Sequence, residues 1–296
     1  MIRERGSGLA LAMLLGAAIA ASPPGSALAG AWLQEPGTAY VRLSGGYLVT
    51  DTRFDRDGNE IPFDNAGGGF RDVEYRDFAA GAYAEWGLHR DWNLITDLTW
   101  KRLRADQPSA RFTTYGFGDA GVGVKRSLYR GPHTVASAGV SVSVPTGYDP
   151  GEYPALGSDT VDLTASLQAG TSTAAYWVNG EAAYRFRGGD FRNQVGGAVT
   201  GGFGVSRAVA LRGDVRGAVG VGRGPAPDGG LRFDPTAVDP GNLDAAGTVS
   251  VRVAPGTALE AEVRSTVWGE NTLVGTRFSL AVATSPALRL RSGRER

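Results

Sequence analysis

The chain contains no cysteine, which excludes disulfides, thiolate metal centres and a lipid-anchoring cysteine. Lys and Arg number 30 against 30 Asp and Glu, so no excess of one sign argues for nucleic acid. Beyond Ala29 no apolar run approaches the roughly 18 residues of a membrane-crossing helix. The 45 glycines lack a triplet period, which excludes a collagen-like chain. They fall inside patterned segments, at Gly45, Gly81, Gly121, Gly123, Gly197 and Gly201, where they allow bends and close strand approach.

What the chain does have is alternation. In Asp91–Lys101 the residues Trp92, Leu94, Thr96, Leu98 and Trp100 fall on one face, and Asn93, Asp97, Thr99 and Lys101 on the other, with Ile95 the one apolar intruder. A period of two means an extended strand with unlike faces. A tilted strand places the two tryptophans roughly 20–25 Å apart, the height of an outer-membrane apolar band. Twelve such segments are predicted, at 39–50, 72–88, 91–104, 115–128, 134–145, 159–170, 175–187, 191–204, 207–221, 243–254, 257–268 and 272–283. Short turns near 88–91, 129–133, 171–174, 206 and 255–256 alternate with longer connections, chiefly 51–71, 105–114, 146–158 and 222–242. Short turns on one rim, long loops on the other and an even strand count fit an antiparallel transmembrane β-barrel. A soluble sandwich alternates too, with its apolar face turned into a two-sheet core. The strand-end aromatics Trp86, Trp92, Trp100, Tyr129 and Tyr176 favour the membrane, as does the N-terminus. There Arg3 and Arg5 precede the apolar run Leu9–Ala21 and the small-x-small site Ala27-Leu28-Ala29. That is a signal peptide over 1–29, which places the mature start at Gly30, the barrel at 30–284 and a basic periplasmic tail at 285–296.

If the apolar face looks at lipid, the other face lines a lumen. It carries the acids Asp77, Glu85, Asp97, Asp119, Asp162, Glu181, Asp214, Asp244, Glu260 and Glu262. Its bases are Arg42, Lys101, Lys125, Arg185, Arg192, Arg212, Arg216, Arg252, Arg264 and Arg277. The late strands concentrate Arg212, Asp214, Arg216, Arg252, Glu260, Glu262, Arg264 and Arg277. Two readings of these charges stand together: a constriction that orients a solute, and a ladder of ion pairs that stiffens the wall. An Arg212–Glu262–Arg277 group across the section would close the lumen. Asp97 and Asp119 are expected to pair with Lys101 and Lys125 rather than share a proton.

Asp55, Asp57 and Asn59 around Gly58 offer alternating oxygens, as in a Ca²⁺ loop, but the acidic residue expected twelve positions into such a loop is Ala66. Asp-Gly is also an ordinary turn signal, and no metal or other cofactor is assigned. The only histidines, His89 and His133, fall in separate predicted periplasmic turns, so no enzyme is expected. The loops 51–71 and 222–242 are long enough to filter or gate the pore.

Several short stretches resemble a family of outer-membrane barrels grouped as transporters and associated with meta-pathway phenol and aromatic degradation. They are Gly30-Ala31-Trp32 with Pro36-Gly37 and Tyr40; Asp55-Arg56-Asp57-Gly58-Asn59; Tyr83-Ala84-Glu85-Trp86-Gly87-Leu88; Gly116-Phe117-Gly118-Asp119; Val144-Pro145-Thr146-Gly147-Tyr148; and Ala183-Tyr184-Arg185-Phe186-Arg187. The resemblance implies a bacterial outer-membrane barrel that passes small, apolar or aromatic molecules, and it supplies no catalytic residues. Gly275, Phe278 and Leu280 look like the closing-strand signal read by the barrel-assembly machinery, although Ser285–Arg296 follows it. The expected partners are therefore outer-membrane lipid, that machinery and a small-molecule solute. The function expected is passive passage; the alternative is a closed structural barrel whose outer loops bind a partner.

Overall fold

The computed structural model describes residues 30–63, 73–108, 110–189, 191–222 and 240–286. The expected signal peptide, the later part of the 51–71 loop, most of the 222–242 loop and the tail beyond Pro286 lie outside these residues. Twelve strands close into one antiparallel barrel. They are β1 (Ala39–Thr50), β4 (Glu74–His89), β5 (Trp92–Gln107), β6 (Ala110–Arg130), β7 (Thr134–Val144), β8 (Asp162–Ser172), β9 (Tyr176–Phe186), β10 (Asn193–Gly204), β11 (Val209–Val221), β12 (Gly241–Ala254), β13 (Thr257–Glu270) and β15 (Thr276–Thr284). Three short strands, β2 (Thr52–Phe54), β3 (Glu60–Pro62) and β14 (Thr272–Leu273), form a separate sheet in the order β14-β2-β3. β1 pairs with both β4 and β15, so the large sheet has no free edge. Both ends of the barrel meet at one rim, where the Ala39 amide donates to the Pro286 carbonyl at 3.1 Å.

The faces decide between membrane and sandwich. Leu280 is 70% exposed, and Leu43, Phe78, Val140, Leu163, Leu167, Val199 and Val249 are also exposed, all on the outer wall. Glu85, Asn93, Lys125 and Asp162 are buried inside. Apolar outside and charged inside is the inverse of a soluble core, and a closed sheet satisfies its backbone without water. The barrel therefore spans a bilayer, as outer-membrane barrels do. Trp86, Trp92, Tyr129 and Tyr176 stand on the outer wall near the short turns, and Trp100 stands toward the other end. Both histidines are exposed in separate connections at the short-turn rim, His89 ending β4 and His133 preceding β7.

One expected loop is not there. The 105–114 connection is a hairpin instead, because β5 runs to Gln107 and β6 starts at Ala110. Leu103, Ala105 and Phe112 continue the inward set, while Arg102, Arg104 and Arg111 continue the outward one. The alternation persists there with charge in place of apolar groups outside. β6 also carries a bulge. Leu98 faces Ala120 while Trp100 faces Phe117, so an extra residue at Gly118-Asp119 moves the inward set from even to odd positions.

Candidate functional site

The lumen has three levels. At the short-turn end the segment preceding β1 turns into the barrel. Ala31 is buried, and its amide donates to Asn179 Oδ1 at 2.8 Å. The Gly30 carbonyl accepts from Lys125 Nζ at 2.7 Å. Asn179 is on β9, six strands from β1 in either direction, so this segment crosses the full section. Two glycines make room for it. A Cβ on Gly170 would lie 2.5 Å from the Trp32 ring, and one on Gly87 would lie 2.1 Å from the Glu35 carbonyl oxygen. Lys125 also bonds Glu85 at 2.8 Å, and Glu85 accepts from Tyr83 Oη at 2.5 Å and Asn93 Nδ2 at 3.3 Å. The Lys125–Glu85 pair is wholly removed from solvent and is the anchor of the segment. Trp32 and Leu33 are half-buried.

At mid-height the charges of the late strands pair in an unforeseen pattern: many bridges skip a strand. Arg264 on β13 bonds Asp214 on β11 at 2.8 Å, passing over Ala246 on β12, which is the register partner of both. Arg212 and Glu262 lie 3.5 Å apart across Thr248 in the same way. Arg42 on β1 bonds Glu260 on β13 at 2.9 Å above Ala281 and Ala283 of β15. Arg277 on β15 bonds Asp77 on β4 at 2.5 Å, across β1. Small or short side chains on the intermediate strand let each chord pass. The Arg212–Glu262–Arg277 group of the sequence reading is therefore not one unit, since Arg277 turns to Asp77 and Arg212 to Glu260 and Glu262. Arg252 lies apart near the short-turn rim, exposed, and no ion pair joins it to this group. Lys125 differs from expectation, pairing with Glu85. Lys101 donates to the Leu156 carbonyl at 2.7 Å, and Asp119 accepts from Tyr148 Oη at 2.5 Å. Asp97 remains exposed to the lumen.

Among these charges Arg216 differs in exposure. Its side chain is 53% exposed, and its nearest carboxylate, Asp244, is 3.9 Å away. It lines a chamber of about 460 Å³ in the lumen. One side of the chamber is lined by small side chains, Ser44, Gly46, Ala79, Gly81 and Thr99, with Leu48 and Leu273; the other carries Arg216, Asp244, Glu262 and Arg264, and Arg277 lines it as well.

The far end is occupied by a loop whose role was not apparent in the sequence. Residues 145–161, between β7 and β8, fold inward. Leu156 joins Leu48, Phe63, Val73, Tyr75, Leu103 and Ala105 in a buried apolar cluster, flanked by Phe112, Tyr148, Tyr153 and Leu273. Lys101 holds the Leu156 carbonyl, and Tyr148 holds Asp119 while accepting from the Asp159 amide at 2.8 Å. Burial and the bond to Asp119 push the Tyr148 phenol above its ordinary value. The apolar residues Tyr148, Tyr153 and Leu156 were the available signal, hidden among Gly, Pro and Asp. The β2–β3 hairpin of the 51–71 loop lies against β14 instead of across the barrel axis. In its turn the Asp55 carboxylate accepts from the Asp57 and Asn59 amides at 2.8 and 2.9 Å and from the Asn59 side chain. Those bonds, the Asn59 amide first, hold Asp55 below the usual carboxylate range. Asp55, Asp57 and Asn59, weighed above as a Ca²⁺ loop, form an Asx-type turn around Gly58, which has φ +79°.

No family model matches the chain, and no curated protein matches it in sequence. Among solved structures it is similar to an outer membrane channel from Pseudomonas putida F1, with a TM-score of 0.67 and 14% identity, covering 86% of this chain and 98% of that one. It also resembles the KdgM porin (TM-score 0.45, 8% identity, 82% and 98% covered) and the CymD monoaromatic hydrocarbon channel (0.42, 8%, 86% and 89%). At such identities the likeness is one of fold: this chain's closed twelve-strand antiparallel barrel is similar to the fold of an outer membrane channel.

Proposed function

We propose that the protein is an outer-membrane channel for passive passage of small molecules, and that its solutes are apolar or aromatic bodies carrying a polar group. The observation that carries this reading is the lumenal chamber. Its volume falls within the ~300–1,000 Å³ usual for small-molecule sites. Its walls divide into a side of small residues and hydroxyls with two leucines, Leu48 and Leu273, and a charged side on which Arg216 stays open to solvent. The N-terminal segment and the 145–161 loop occupy the two ends, so passage requires one or both to yield. Export by the 1–29 signal, processing before Gly30, and recognition of β15 by the assembly machinery complete the proposal. Phe278 and Leu280 of that strand face lipid, 62% and 70% exposed.

The test is single-channel conductance of residues 30–296 refolded into a planar bilayer, followed by block with aromatic acids, aromatic amines and sugars. Discrete steps with block by the aromatic solutes support the proposal. Insertion without steps and without solute uptake into liposomes overturns it. That outcome favours the structural alternative, to which the saturated ion pairs and the crossing N-terminal segment also point.

A further inference from the structure

The outer wall carries a second constellation, away from the lumen. Above the aromatic residues Tyr47, Phe78 and Trp100, on the long-loop side, the outward positions of β4, β5 and β6 change from apolar to polar and charged, with four arginines beside Glu74 and Asp106. Arg102 is the partner of Phe78 and of Tyr115, and Arg104 is the partner of Arg76 and of Thr113. Arg111 stands at the tip of the same hairpin. Tyr47, Arg76, Phe78, Trp100, Arg102 and Arg104 line one groove of about 450 Å³. Phe78 and Trp100 meet edge to face at 6.2 Å and form its floor.

The charges there do not cancel. Arg76 pairs with Glu74, and Asp106 receives Arg104 at 2.6 Å, Arg111 at 2.8 Å and Arg76 at 3.9 Å. Four arginines thus face two carboxylates, and Arg102 is exposed with no ion pair among the described residues. The chain as a whole balances 30 basic against 30 acidic residues, so this local excess of two positive charges is offset elsewhere and is a feature of the patch. Its height matters as much as its sign. Arg102 and Arg104 follow Trp100 along one strand face, so they sit about 5–15 Å beyond the aromatic level, where lipid headgroups lie. The guanidinium is suited to bidentate contact with phosphate oxygens, and the aromatic floor is suited to acyl chains.

We propose that this groove binds a phosphorylated lipid of the outer leaflet, with its phosphates on Arg102, Arg104 and Arg76 and its acyl chains along Tyr47, Phe78 and Trp100. The site does not depend on the lumen conducting, so it stands or falls separately from the channel reading.

The experiment measures binding of bisphosphorylated lipid A, its dephosphorylated form and inorganic phosphate to the processed chain in detergent, by native mass spectrometry. The variants are Arg102→Ser, Arg102→Ser with Arg104→Ser, and, as control, Arg126→Ser, whose guanidinium lies 5.4 Å over Trp92 at the opposite rim. Arg102→Ser removes no ion pair and keeps the barrel intact, as heat-modifiable gel mobility checks. The expected result is affinity lowered about fivefold by Arg102→Ser and further by the double variant, with Arg126→Ser unchanged and the dephosphorylated lipid bound weakly. Equal binding of both lipid forms means apolar contact only and overturns the proposal. So does unaltered binding by the two Arg102 variants, or displacement of the lipid by millimolar inorganic phosphate, which would make this a free-phosphate site.

Discussion

The Lys125 anchor predicts how firmly the N-terminal segment is held. Lys125→Met removes the charged donor to the Gly30 carbonyl. A hydrogen bond from a charged group contributes about 1.5–3 kcal/mol, so the undocked fraction should rise roughly 10- to 100-fold. The same change strands Glu85, which is fully buried, at a cost of about 3–5 kcal/mol to the barrel. A second variant separates the two effects. Glu85→Gln with Lys125→Met leaves no stranded charge, so it should recover most of the barrel stability while the segment remains loose. The readout takes advantage of the cysteine-free chain. A thiol introduced as Ala31→Cys sits at a position only 1% exposed, and its labelling rate by a maleimide reports undocking. Labelling should accelerate in both Lys125 variants, with more frequent open events in planar bilayers. Labelling at the parent rate in both would refute the anchor. Acceleration in the single variant alone would trace the effect to barrel distortion.

Other expectations follow from the same geometry. Arg216→Glu should shift ion selectivity toward cations with little change in unfolding midpoint, whereas Arg264→Met, which loses Asp214 and Glu262 together, should cost about 3–5 kcal/mol in urea unfolding. Tyr148→Phe should release the 145–161 loop from Asp119 at a cost of about 1–2 kcal/mol and increase current noise. The folded-state pKa of Tyr148 is raised, so its contribution is present below the ordinary tyrosine value of about 10 and is lost on the alkaline side, which conductance at rising pH will show. Asp55 has the opposite sign. Its folded-state pKa is lowered, so hairpin order is present above about pH 4 and fades as acid protonates it, measurable as faster proteolysis within 51–63.

The sequence made the barrel legible because lipid and lumen demand different side chains at every second position. β1 occupies the predicted 39–50, and the other strands lie within a few residues of expectation, apart from the hairpin of β5 and β6. That hairpin was missed because the faces exchange polarity once the wall leaves the membrane, with arginines outside and Leu103, Ala105 and Phe112 inside, so the apolar-out pattern ended before the strand did. The lumenal charges were legible as a set and illegible as pairs. Sequence periodicity reports facing, whereas a chord such as Asp214–Arg264 depends on the register of strands two apart and on a small Ala246 between them. The crossing segment depends on cavities at Gly87 and Gly170, which look like any other strand glycine in the chain.

The chords at the junction of β1 and β15 carry a consequence for rates. Arg42–Glu260 and Arg277–Asp77 join residues 218 and 200 apart in sequence, and each spans the seam where the first and last barrel strands meet. Neither can form while the sheet is open, so neither assists the search for closure, which topology already makes slow. Both must break before the seam can part. Interactions absent from the transition state act almost wholly on the reverse step. These two bridges therefore set how long the assembled barrel persists, more than how readily it assembles.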